Sequence, residues 1–339
     1  MEPVGKDLHS GIQSEFLKRI RELKGKTDSL STPVFDKQTA NEVLSKWTDS
    51  LKNLTVIRNM PYVKADRAGD SWVFKLNDGK IIRPRVLIAA GDRKLMERLA
   101  IKVADSTQEM PLDYAGTSYR TSVASGKHVG GHGTATVFSL YSLLIADQEN
   151  LIWLSPKENM LSGQAAGATA AYAAFYGTKT SASNLNAIQG ELIHYKLALM
   201  PFADVSPDDP NWKAIQFVGL TGVMKAEIQE QKACFLPGKM VTIAEIKQPL
   251  KAFYSKAQLW FDDHAEGNLS LKLAIDLVCY VGNKSPESTL KAIEKNWKTG
   301  YKLSSDFDLE KVLTRREFAL LLHDYLPPFN VNVDKRVKW

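Results

Sequence analysis

Only two cysteines occur in 339 residues, Cys234 and Cys279, far apart and each among apolar neighbours. No CxxC or other ligand spacing joins them, which excludes a disulfide framework and a cysteine metal site and leaves two buried free thiols as the expectation. Long apolar runs are equally scarce. The small-residue run near the middle of the chain ends well short of the ~18 consecutive apolar residues a membrane span needs, and no basic segment followed by an apolar run opens the chain. As written, the chain is therefore expected to be cytoplasmic and without a membrane span, or exported if a further segment precedes Met1. No long basic block with interleaved aromatics is present, so the net charge of +6, from 44 basic and 38 acidic residues, is a mild bias and no nucleic-acid signature. Without a GxSxG elbow, the Ser, His and Asp residues have no hydrolase spacing. What remains is a composition of 44% hydrophobic residues over a length sufficient for two domains, ordinary for a globular protein.

The most informative stretch is Ser162 to Gly177, SGQAAGATAAYAAFYG. Gly163 and Gly167 lie four apart, and Ala166, Ala170 and Ala174 continue the same side at helical spacing. Such a face admits a neighbouring backbone or a flat ligand, and a helix start there offers N–H groups to a phosphate. An Ala-rich helix packed on a sheet, with no ligand, is the competing reading.

Before it, Ser10 with Gln13 forms a capping box for a helix carrying Ile12, Phe16, Ile20 and Leu23. A second helix starts at Asp36, with Ala40, Val43, Leu44 and Trp47 inward. Strands are expected at Leu54 to Arg58 and at Trp72 to Leu76, the latter meeting Ile81 across Asn77-Asp78-Gly79-Lys80. Val86 to Ala90 reads as a strand that stops at Gly91-Asp92, followed by a helix through Leu95, Leu99 and Val103, which puts Gly91 at a crossover. No period holds from Ser106 to Thr136. His128 and His132 are four apart, but Gly130, Gly131 and Gly133 argue for a loop rather than a metal-binding helix, and no metal is expected. Val137 to Leu144 and Asn150 to Leu154 read as strands, and a helix over Asn184 to Leu199 closes the first domain before Pro201, Pro207 and Pro210. The second half is helical and imperfectly repeated. Ala214-Ile215 is followed by Thr242-Ile243-Ala244-Glu245, and Ala274-Ile275 by Thr314-Arg315-Arg316-Glu317, each pairing a helix with a later capping box. Asp262-Asp263-His264 reads as an exposed acidic turn.

Taken together, Ser10 to Phe16, Phe35-Asp36, the hairpin leading from Lys80-Ile81-Ile82 to Val86-Leu87-Ile88-Ala89-Ala90-Gly91-Asp92, Ser142-Leu143-Leu144 to Asn150-Leu151-Ile152, and Gly163-Gln164-Ala165-Ala166-Gly167 resemble, in order, landmarks of FAD-dependent oxidoreductases with a glutathione-reductase-type flavin domain. The resemblance covers Val4 to Leu199 and implies FAD, a small-molecule substrate and hydride transfer between that substrate and the flavin. It nominates Gly91, Asp92, Gly163, Gln164 and Ala165 as cofactor-binding residues. The family's opening strand, GxGxxG turn and helix have no counterpart here. No catalytic base is assigned: by chemistry alone His128, His132 and Tyr141 are the candidates.

Val205 to Phe329 resembles S-layer homology modules through Asp209-Pro210-Asn211-Trp212-Lys213-Ala214-Ile215, Phe235-Leu236-Pro237-Gly238 and Leu313-Thr314-Arg315-Arg316-Glu317-Phe318. This resemblance implies a cell-wall glycan as partner; a helical appendage is the plainer alternative. The expected fold class is α/β: an incomplete glutathione-reductase-type FAD-binding domain with a mixed sheet (residues 1–200), then a smaller all-α domain (residues 205–330). Two functions remain open, an FAD-dependent oxidoreductase relative and a noncatalytic binding or scaffolding protein.

Overall fold

The computed structural model describes residues 9–25, 33–103, 106–127 and 134–327. Along these the chain forms α1 (Gly11–Leu23), α2 (Lys37–Asp49), β1 (Tyr62–Ala68), β2 (Ser71–Leu76), β3 (Ile81–Ile82), β4 (Leu87–Ala90), α3 (Arg93–Arg98), β5 (Glu109–Pro111), β6 (Ser122–Ser125), β7 (Thr136–Ser139), β8 (Leu144–Ile145), β9 (Gln148–Leu154), α4 (Met160–Tyr176) and α5 (Leu185–His194). It continues through α6 (Trp212–Thr221), β10 (Glu227–Gln229), β11 (Lys232–Cys234), α7 (Ile243–Phe253), α8 (Ser255–Asp263), α9 (Leu271–Gly282), α10 (Pro286–Thr299) and α11 (Arg315–Tyr325). This is a mixed α/β protein. None of the helices among the described residues is long and apolar enough to cross a membrane.

The chain divides into two compact units, and not by a single cut near residue 200. One holds His9–Gln108 and Leu140–Leu197; the other holds Glu109–Ser139 and the chain from Ala198. Backbone and hydroxyl bonds explain the second grouping: Ser122 Oγ donates to the Leu199 carbonyl at 2.6 Å, and the Ser125 N–H to the Ala198 carbonyl at 2.6 Å.

The first unit contains a mixed sheet ordered β4-β9-β8. β4 runs parallel to β9, with Leu87 opposite Leu151 and Ala90 opposite Leu154, and β8 is antiparallel. Trp72, Ala89, Leu95, Met96, Leu151 and Trp153 form its core, and the buried Trp72 indole N–H is satisfied by the Asn150 carbonyl at 2.8 Å. The hairpin turn at 77–80 joins β2 to β3 as expected. The partner of β2 on its other side is β1, whereas Leu54 to Arg58 has no regular structure and is exposed throughout. The apolar run of 54–58 suggested a strand, but the ladder is carried by Tyr62–Ala68, where Lys64, Asp66 and Arg67 hid it. In α2, Asp36 caps Thr39 N–H at 2.7 Å and Val43 is buried, but Leu44 faces outward at 37% exposure. α3 ends at Arg98, before Val103, and α5 ends at His194, five residues earlier than expected.

The second unit is not all-α. It contains the β10–β11 ribbon and the β5-β7-β6 sheet, the latter lying where no sequence period held. Its helical part is built on a ring. Three short segments, each ending in a helix N-cap, meet there: Val241-Thr242 before α7, Leu269-Ser270 before α9 and Leu313-Thr314 before α11. The Val241 N–H donates to Leu313 O, that of Leu313 to Leu269 O and that of Leu269 to Val241 O, each at 2.9 Å. An outer ring repeats the pattern from Ile243 to Gly267 O, Leu271 to Lys311 O and Arg315 to Lys239 O, at 2.9, 2.8 and 2.8 Å. Val241, Leu269 and Leu313 are each 0% exposed, so the ring's amides find one another where water is excluded. The two expected boxes fall at two of three positions related by a pseudo-threefold pattern, though only Thr314–Glu317 closes as a box, while Thr242 caps Glu245 one way and Glu245 turns to Arg315. Ser270 completes the pattern, capping the Leu273 N–H at 3.3 Å without a Glu three residues on.

Candidate functional site

In the first unit, the nominated residues follow the carboxyl ends of the parallel strands. Gly91 comes directly after β4, at φ +69°, packs within van der Waals reach of Pro156, and donates its N–H to Leu154 O at 2.9 Å. Asp92 caps α3: one carboxylate oxygen accepts from the Leu95 N–H at 3.0 Å and the other from the Tyr62 hydroxyl at 3.2 Å. Burial, reinforced by the Asp92 charge, pushes the Tyr62 phenol above its ordinary value.

The helix bearing Gly163, Gln164 and Ala165 starts earlier than its glycine pattern suggests. Asn159 is the cap of α4, accepting from the Leu161 and Ser162 N–H groups at 2.8 and 3.3 Å, and Ser162 Oγ closes the box by accepting from the Asn159 N–H at 3.1 Å. The Gly163 N–H already donates to Asn159 O at 3.1 Å. Gln164 serves a different helix: its Oε1 accepts from the Ile12 N–H at 2.8 Å. It therefore caps α1, whose N-cap Ser10 makes no side-chain cap bond, in place of the expected Ser10–Gln13 box. The approach requires Gly11, where a Cβ would stand 2.1 Å from Gln164 Oε1. Ala165 is fully buried. By contrast, a Cβ added at Gly163 or Gly167 would meet no atom within 4 Å, so no neighbouring backbone exploits that face.

These contacts test the fit of FAD. The open glycine face leaves room for a flat ring, but the Gly91 N–H, both Asp92 carboxylate oxygens, Gln164 Oε1 and the Leu161, Ser162 and Gly163 N–H groups are already bonded within the chain, so these groups offer no cradle for a diphosphate. The residues present do not fit the whole cofactor. Tyr141 is half-buried in a 3-10 turn at Leu140–Leu143, and His128 and His132 lie outside the described residues. No group of three or more His, Cys, Asp or Glu residues among the described residues is placed to hold a metal ion.

The second unit offers a groove. The three segments that carry the S-layer homology resemblance converge on a cavity of about 470 Å³, contributing Pro210 and Asn211, Pro237 and Gly238, and Thr314, Arg316 and Glu317. Lys302 and Lys311 complete its charged lining. Arg316 is held by Asp209 at 2.6 Å and by Asn211 at 2.9 Å, and Asn211 in turn donates to Tyr301 O at 2.8 Å. Lys311 pairs with Glu317. Lys302 is exposed, at φ +56°, and has no ion pair among the described residues. Arg316 was visible in its capping box; Lys302 and Lys311 lie in a loop without periodicity and only the folded chain gathers them.

Models of known protein families, curated proteins and solved structures were compared with the chain, and none matches it.

Proposed function

We propose that this chain is a noncatalytic binding protein whose second unit holds an acidic cell-wall glycan in the groove lined by Lys302, Lys311 and Arg316. The single observation that supports this reading most is the convergence of three sequence-distant segments on one cavity of about 470 Å³ that holds Lys302, a cation with no ion pair among the described residues, beside the paired Lys311 and Arg316. A volume of this size suits a few sugar rings, and cations at the mouth attract carboxylate or phosphate substituents. The test is sedimentation of the full chain with a purified, protein-free cell-wall polysaccharide. The wild type is expected to pellet with it, and Lys302→Glu to weaken retention about tenfold or more, since a reversed charge at the groove repels the same substituents. A wild type that stays in the supernatant, or equal retention of both proteins, would overturn the proposal. A fragment starting at residue 205 is the wrong reagent, because it lacks the β5-β7-β6 sheet of the same unit.

A second reading, an FAD-dependent oxidoreductase relative moving hydride between a substrate and flavin, is favoured by one observation. Parallel β4 and β9 end side by side at Ala90 and Leu154, the edge of an α/β sheet where ligands collect. Because the diphosphate lacks a cradle, the expected result of incubating the purified chain with FAD and desalting is an absorbance spectrum without flavin bands between about 350 and 500 nm. Retained bands would restore the oxidoreductase reading.

A further inference from the structure

A second cavity, of about 520 Å³, lies in the first unit, and none of the residues nominated above lines it. One bank is the chain after α3, with Ile101 and Val103; the other is β8, with Leu144 and Ile145; Trp153 lies beneath, only 4% exposed. These five side chains make apolar walls, while Lys102, Gln108, Ser142, Asp147 and Gln148 add polar groups to the lining. Gln108, at the base, spends its amide on bracing: Nε2 donates to the Ser142 and Trp153 carbonyls and Oε1 accepts from the Ser155 N–H at 3.0 Å. The backbone on both banks is less occupied. β8 is the outer strand of the β4-β9-β8 sheet, so one edge of it faces outward, and the Lys102 and Val103 N–H groups have no partner among the described residues. Two charges of opposite sign stand at the mouth, Lys102 on one bank and Asp147 on the other. Both are exposed and neither is ion-paired among the described residues.

We infer that this cleft binds a short apolar peptide with free termini, extended beside β8, its carboxylate facing Lys102 and its ammonium facing Asp147. An extended strand is the ligand form that uses an open sheet edge and unpaired amides together. Apolar side chains suit the walls, and the volume lies within the ~300–1,000 Å³ of small-ligand clefts. The charge pair at the mouth separates a zwitterionic peptide from an uncharged apolar molecule, which would leave both ions without a counterpart. This inference is independent of the glycan groove, which belongs to the other unit.

The test is isothermal titration calorimetry of the full chain with the tripeptide Leu-Ala-Leu and with the same peptide N-acetylated and C-amidated. The free peptide is expected to bind, and the capped form about tenfold or more weakly. Lys102→Glu and Asp147→Lys, both at exposed positions and checked for an unchanged circular dichroism spectrum, are each expected to weaken the free peptide about tenfold. Absence of binding to folded wild-type protein, equal affinity for free and capped peptides, or unchanged affinity in both variants would overturn the inference.

Discussion

Arg315→Ala is expected to lower the stability of the second unit by about 3 kcal/mol, measured by urea unfolding at neutral pH. Arg315 is the first residue of α11, and its side chain is 0% exposed. The guanidinium donates to the Lys225 carbonyl, lies 4.9 Å from the Phe235 ring centroid, and has Glu245 and Glu227 oxygens at 3.4 and 3.5 Å. Burial lowers the group's hold on its proton, and the two carboxylates oppose that loss. Truncation leaves a cavity against Phe235, an unpartnered carbonyl and Glu245 without its cation, while Glu227 keeps Lys239. Because Glu245 and Glu227 retain 20% and 41% exposure, water recovers part of their solvation, which places the effect at the lower end of the range for breaking a buried pair. Arg315→Met fills the cavity but still leaves the Lys225 carbonyl and Glu245 without their donor, so it should cost about 2 kcal/mol, less than Ala by the cavity alone. A two-unit chain need not unfold in one step, so the relevant transition is the one shared by probes in the second unit. Equal losses for Ala and Met would show that volume is irrelevant, and a loss below about 0.5 kcal/mol for Ala would mean that the buried cation does not brace α11 at all.

Local signals were the legible part of this fold. Asp78-Gly79 marked its hairpin, Asp36 and Thr314 marked their helices, and Gly177 ended α4 in the left-handed region at φ +62°. Each depends on residues within a few positions of one another. What failed was whatever needed distant partners. Gln164 looked like a ligand contact because it follows Gly163, yet it caps α1 through Ile12, 152 positions away. The ring at Val241, Leu269 and Leu313 was read as two boxes because Ser270 is followed by Leu271-Lys272-Leu273, which lacks the acidic partner a box needs. Residues 106–136 showed no period because β5 and β6 are three and four residues long, too short for alternation to register, while the strand read from Val137 to Leu144 is β7 only as far as Ser139, where a 3-10 turn takes over. The glycan groove was half legible: three of its segments stood out by resemblance, but Lys302 reaches it from a loop whose position only the fold determines.

Glu317→Gln is expected to cost about 2–3 kcal/mol at pH 7 and to flatten the acid limb of the stability profile. The Glu317 side chain is 4% exposed and fully engaged. One oxygen accepts from the Thr314 N–H at 2.8 Å and its hydroxyl at 3.0 Å; the other accepts from Ser305 Oγ at 2.7 Å and from Lys311 Nζ. Burial by itself raises the carboxyl's pKa, but these donors, Lys311 first, outweigh it and hold the group below the usual carboxylate value. A pKa depressed on folding stabilises the native state fully above the unfolded value, near 4.5, and that contribution disappears as pH falls through the lower, folded value. Wild-type stability should therefore decline on acidification below about pH 5, and the variant should start lower and decline less. Some slope must remain, because Asp324 is also held low, burial being outweighed there by His323 and Tyr301. Gln keeps the shape but presents an NH₂ to donors that require an acceptor, so the expected loss combines the missing charge with this donor mismatch. The substitution also unties Lys311 inside the groove. If that lysine serves the glycan, a folded Glu317→Gln protein at neutral pH should retain the polysaccharide at least as well as wild type while unfolding at lower urea. Parallel loss of stability and of retention would instead make Glu317 part of the recognition surface, and an unchanged acid limb would remove the carboxylate from the account of stability.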